Sequence, residues 1–129
     1  MTARQEAAVL RHTVDVTPDD LDALAEFMLE RIQEEINARG ARGAADALEG
    51  MVAATRVQAR RCLEELGRVN VDPVQRASAL VRLDAAWASL CMAVRAWQEH
   101  PNFDTARWRR PEGTFPDRLG PMTWVPGRS

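Results

Sequence analysis

Few residues in this chain carry reactive chemistry: His12 and His100, Cys62 and Cys91, the carboxylates between Asp15 and Glu35, and two groups of arginines. Cys62, Cys91, His100 and His12 are the residue types of a zinc site, since thiolates and imidazoles are the usual ligands. No serine or cysteine nucleophile spacing accompanies His100, and Cys91 lies nine residues earlier on a different helical face. Asp22, Glu26, Glu30, Glu34 and Glu35 are the types that do acid–base work or hold a metal. They fall mostly on one polar helix face, no histidine shares that helix, and no Glu-x-x-His pair exists to build a di-iron site. They therefore read as a solvated face. Both cysteines read as small buried hydrophobes of a reduced cytoplasm, with no spacing that demands a disulfide. His12 reads as a solvated surface histidine. The expectation is no catalytic residue, no cofactor, no metal, and no enzyme.

The arginines offer a different chemistry. Arg56, Arg60 and Arg61 cluster on one segment, and Arg107, Arg109 and Arg110 surround Trp108, which is available for base stacking. Nucleic-acid binding through these six is the alternative reading. All 17 basic residues are arginine, which makes forked pairs with carboxylates where lysine is a point charge. Net charge is only −2, so no global field draws nucleic acid or an anionic membrane. The charge is uneven, with eight acids against two arginines over residues 15–39, net −6, and five arginines against three acids over 100–129, net +2.

Three amphipathic helices must position these groups. Thr17 can cap the first, Pro18 suits its first turn, and Asp19 and Asp20 suit the positive end of its dipole. Val16 and Leu21 form a hydrophobic staple. This helix should run to Arg39 and stop at Gly40, burying Leu21, Leu24, Ala25, Met28, Ile32 and Ile36. Phe27 lies about 120° from Leu21 at 100° per residue. It implies a second contact surface, or a place covered by one of the termini. Ala41-Arg42-Gly43 reads as a turn. The second helix should span 44–69, with Leu48, Met51, Val52, Thr55, Ala59, Cys62, Leu63 and Leu66 on one face. Val57 sits among charges on the other.

Asp72 and Pro73 open the third helix, expected to continue to Glu99. It carries two apolar stripes. Leu80, Leu83, Trp87, Leu90, Val94 and Trp97 make a bulky one; Val74, Ala77, Val81, Ala85, Ala88, Met92 and Ala96 make a small one. A helix apolar on two sides belongs at the centre of a fold, with the other two helices taking one stripe each. No segment alternates as a strand does. The fold expected is all-α: an antiparallel three-helix bundle over residues 15–110, an N-terminal arm or short helix over 1–14, and a proline-rich extended tail over 111–129. The longest nearly apolar run, Ala85 to Val94, is short of the ~20 residues of a spanning helix, and the N-terminus has no apolar leader segment, so a cytoplasmic protein is expected.

Residues 100–129 hold five of the seven prolines, together with Phe103, Trp108, Phe115 and Trp124. Phe103 and Trp108 should pin back onto the bundle near Trp97, and the end past Gly120 should be the loosest part. His100 should end the third helix against the negative end of its dipole, with Pro101 as the stop. The stretch His100-Pro101-Asn102-Phe103-Asp104-Thr105-Ala106-Arg107-Trp108-Arg109-Arg110-Pro111 resembles the C-terminal signature of a family of small uncharacterised helical proteins of high-GC bacteria and their phages. That signature reads roughly H-P-D-[YF]-x-x-x-W-[RK]-P. The acidic helix from Asp20 to Glu35 is also similar to the start of such proteins. This chain departs at Asn102 and at the extra Arg110. The resemblance implies a structural clasp at His100, Pro101, Phe103 and Trp108 and a phage or mobile-element setting, and it carries no activity.

These observations point to a non-enzymatic interaction or accessory protein, contacting a protein partner or a second copy of itself. Phe27, Val57, Leu83, Trp87, Leu90 and Trp97 are its expected contact surface.

Overall fold

The computed structural model describes residues 9–40 and 43–113. Expectations for residues 1–8, for the turn at 41–42 and for the tail from 114 onward fall outside the described residues. Helix α1 spans Pro18–Arg39, α2 spans Gly43–Leu66 and α3 spans Pro73–Val94. Short 3-10 turns stand at Thr13–Asp15 and Arg95–Trp97. The fold is an all-α three-helix bundle.

Local chemistry sets the helix ends. Thr17 Oγ1 accepts from the Asp20 N–H, and the Asp20 carboxylate accepts from the Thr17 N–H, a reciprocal capping box. Gly40 closes α1 in the left-handed conformation, φ 73°, its N–H donating to the Ile36 carbonyl. The Asp72 side chain accepts from the N–H groups of Val74 and Gln75, and Pro73 takes a first-turn position whose N–H has no helical partner to lose. α2 ends at Leu66, three residues before the expected Val69, and Gly67 N–H turns back to the carbonyls of Leu63 and Glu64.

The backbones of α2 approach both neighbours closely, while α1 and α3 meet less. Small α2 residues, Ala59 and Cys62, are fully buried and permit the approach. Large side chains fill the space between α1 and α3: Leu21, Leu24, Met28 and Ile32 from one, Leu83, Trp87, Leu90 and Val94 from the other. The Leu/Trp stripe of α3 is thus core. Burying its five fully enclosed side chains contributes on the order of 10 kcal/mol gross, at ~1.5–3 kcal/mol each. The Trp87 indole N–H has no hydrogen-bond partner among the described residues, so packing alone holds that ring.

The small stripe does not fit the expectation. Val74, Val81 and Met92 are 77, 60 and 72% exposed, and among the described residues no helix takes this side. α3 is apolar on two flanks, yet the bundle covers only one. The stretch Pro73–Trp97 is long and apolar enough to cross a membrane, with mean hydropathy 1.4; 44% of that window is buried, and a core helix passes the same test.

Candidate functional site

Four of the six residues expected to form a contact surface are buried. Leu83, Trp87 and Leu90 are 0% exposed and Phe27 is 7% exposed. Trp97 is half-buried against the core. Helical periodicity marks these residues as apolar; the core takes Leu83, Trp87 and Leu90 because they lie on the face of α3 turned toward the other helices. Val57, half exposed, keeps its place on the surface beside Gln58, Arg61 and Arg82.

Phe27 is covered by the segment that follows α3. Its ring meets Trp108 at 4.8 Å between centroids, His100 at 5.3 Å and Phe103 at 6.3 Å, the last two edge-on. Phe103 and Trp108 meet edge to face at 5.4 Å. Such ring pairs add about 0.5–1.5 kcal/mol each beyond area burial. His100, Phe103 and Trp108 therefore do close on the bundle, and the ring they close on is Phe27 of α1.

His100 is not a helix terminator. α3 ends at Val94, a 3-10 turn follows, and the imidazole reaches α1 instead. Its Nε2 lies 2.8 Å from Arg31 Nη1, while the Asn102 N–H donates to Nδ1 at 3.0 Å. A neutral imidazole has one accepting nitrogen, so it satisfies one of these two donors at a time. Arg31 is itself buried, stacked 5.0 Å over the Phe27 ring and paired through Nη2 with Glu30 and Glu34.

A second tie was not foreseen. Arg107 Nε donates to Asp20 Oδ1 at 2.6 Å and Arg107 Nη2 to Asp20 Oδ2 at 2.8 Å, a forked pair across 87 residues of sequence. Burial pushes the Asp20 carboxyl up; the Arg107 hydrogen bonds and charge and the Thr17 donors outweigh it and hold it below the ordinary range. The only sequence signal was Asp20 in the first turn of α1, where a carboxylate suits the helix dipole but names no distant partner.

Asp84 joins three segments. It accepts from the Thr13 hydroxyl and from Arg110 Nη2, both at 2.7 Å. Thr13 N–H also donates to the Gly113 carbonyl at 2.8 Å, forming a single parallel bridge between His12 and Gly113. His12 is accordingly half-buried, its Nδ1 enclosed and without a partner among the described residues, and not the solvated histidine expected.

The arginine groups are largely engaged with carboxylates. Arg56 and Arg60 both reach Asp22, and Arg56 also reaches Glu26. The hydrogen bonds from Arg60 and Arg56 hold the Asp22 carboxyl below its ordinary value. Arg61 and Arg109 are exposed. Both cysteines are buried and free. Burial pushes the Cys91 thiol up to about 12 and raises that of Cys62 too. Among the described residues no three histidine, cysteine or acidic side chains gather where a metal could bind.

Among the described residues, one apolar feature runs continuously along the surface of α3. The open stripe of α3 runs through Val81, Ala85 and Ala88 to Met92. There it enters a cleft of about 300 Å³ between α3 and the C-terminal segment. Compared with family models, curated proteins and solved structures, the chain shows no match.

Proposed function

We propose that this is a non-enzymatic interaction protein that receives an acidic amphipathic helix of a partner protein along the open face of α3. One observation carries the reading: Val74, Val81 and Met92 share one helical line and stand 60–77% exposed beside Ala77, Ala85 and Ala88. Valine and methionine left in water on one line are what a helix-in-groove contact uses, and the alanines between them permit close approach.

Charge selects the partner. Arg82, paired with Glu65 at 3.2 Å, borders one flank of the stripe, and Arg95, Arg109 and Arg110 stand around its lower end. The one acid of α3, Asp84, is mostly enclosed and tied to Arg110. An acidic helix meets opposite charge there, whereas a second copy packed in parallel would bring its own arginines against these. A cytoplasmic location and a phage or mobile-element setting accompany this reading, on composition and on the resemblance of residues 100–111.

The test uses a helical Leu/Glu amphipathic peptide and its Leu/Lys twin, titrated calorimetrically into the full chain and into the double variant V74E/V81E. The acidic peptide should bind the native chain and lose that binding in the variant. Equal binding of the Lys twin, or unchanged binding by V74E/V81E, overturns the proposal. A dimer in light scattering that V81E dissociates would replace the acidic partner by a second copy. Retardation of DNA at low salt that R61E/R109E abolishes would replace it by nucleic acid.

A further inference from the structure

We propose that the cleft between α3 and the segment after it binds a small apolar anion, an alkyl or aryl carboxylate. Its floor is apolar: Ala88 and Met92 from α3, Phe103 and Trp108 from the segment that folds back over Phe27. Its rim carries Arg95, Arg109 and Arg110, and among the described residues no aspartate or glutamate lines it. Arg110 is held in place by Asp84 at 2.7 Å. Arg95 and Arg109 form no ion pair with any described residue, so their guanidiniums are available at the mouth. The volume of about 300 Å³ lies at the small end of the ~300–1,000 Å³ of ligand pockets. A ligand of about a dozen heavy atoms is the size class, with its tail on Met92, Phe103 and Trp108 and its carboxylate forked by an arginine.

The walls are fixed before any ligand arrives. Trp108 is packed on Phe27, and its own segment is pinned by the Arg107–Asp20 fork and by Arg110–Asp84. A pocket whose walls are already ordered spends little of the contact energy on ordering them. Cys91 also lines this cleft; burial pushes its thiol up to about 12, so it adds apolar surface and no charge.

Decanoate is the probe, added below its micelle concentration and followed by isothermal calorimetry, with decanol as the uncharged control and phosphatidylglycerol vesicles as the membrane arm. Decanoate should bind with a dissociation constant below about 1 mM, and R95E/R109E should weaken it by about tenfold or more. Ala88→Trp, which fills the floor, should abolish it. V74E/V81E should leave it unchanged, which separates this site from the partner helix proposed above. Decanol binding as tightly as decanoate, R95E/R109E binding it undiminished while circular dichroism shows the fold retained, or binding to vesicles without binding to free decanoate, each overturns the proposal.

Discussion

Replacing Arg107 by alanine measures how firmly the C-terminal segment is fastened to α1. The Asp20 side chain is 9% exposed and that of Arg107 21%. Removing one partner of a fully buried pair costs about 3–5 kcal/mol. Here Arg107 keeps some contact with water, and the stranded carboxylate retains its two Thr17 donors. The cost should therefore fall to about 2 kcal/mol. Asp20→Asn should cost a similar amount, and the double variant less than the sum, with a coupling of about 1.5 kcal/mol in a double-mutant cycle. Acidity supplies an internal control. The folded carboxyl titrates below its ordinary value of 3.8, so the unfolded chain takes up the proton first. The stabilisation is present above the ordinary carboxylate range and is lost as pH falls through the folded value. The gap between wild type and R107A should then be constant near neutrality and shrink below about pH 4. Urea unfolding followed by circular dichroism and tryptophan fluorescence at several pH values reads all of this. A cost under about 0.5 kcal/mol, the ordinary scatter of surface substitutions, would refute the reasoning. So would a gap that stays the same at pH 7 and pH 3.

Three further outcomes follow from the packing. Leu83→Asp should unfold the domain while Val81→Asp changes its stability by no more than about 0.5 kcal/mol, as thermal melts would show, because only the first side chain is enclosed. Phe27→Ala should cost about 3 kcal/mol or more in urea and shift the emission of Trp108, whose ring lies against it. Neither thiol should react with an aromatic disulfide reagent at pH 8 in the native chain, and both should react once it is unfolded. Rapid labelling of native Cys91 would contradict its burial and its raised titration.

Local chemistry was legible in the sequence and distant pairing was not. Thr17-Pro18 and Gly40 bracket α1, and Asp72-Pro73 opens α3, because caps and stops are settled within a few residues. The two stripes of α3 were also legible as stripes. Which one the bundle covers was not, since periodicity reports side-chain polarity and says nothing of how many neighbours exist to cover it. With two other helices among the described residues, the bulky Leu/Trp side wins the core, where it removes more apolar area from water than alanine and valine do. Phe27 was visibly out of register with its own helix, and a covering terminus was one of the two readings. Its partners, His100, Phe103 and Trp108, are more than seventy residues away. The Asp20–Arg107 fork and the hub at Asp84 have no local signature at all, because only the folded path of the chain brings their members together.

The bridge between His12 and Gly113 has a mechanical consequence. The two segments run parallel there, so a pull on the chain from both sides slides one past the other instead of peeling them apart. The Thr13–Gly113 contact and the two bonds into Asp84 lie across that path and take the load together. Tension applied outside residues 12 and 113 reaches them before it reaches any helix, and the bundle behind them is shielded until this tie gives way.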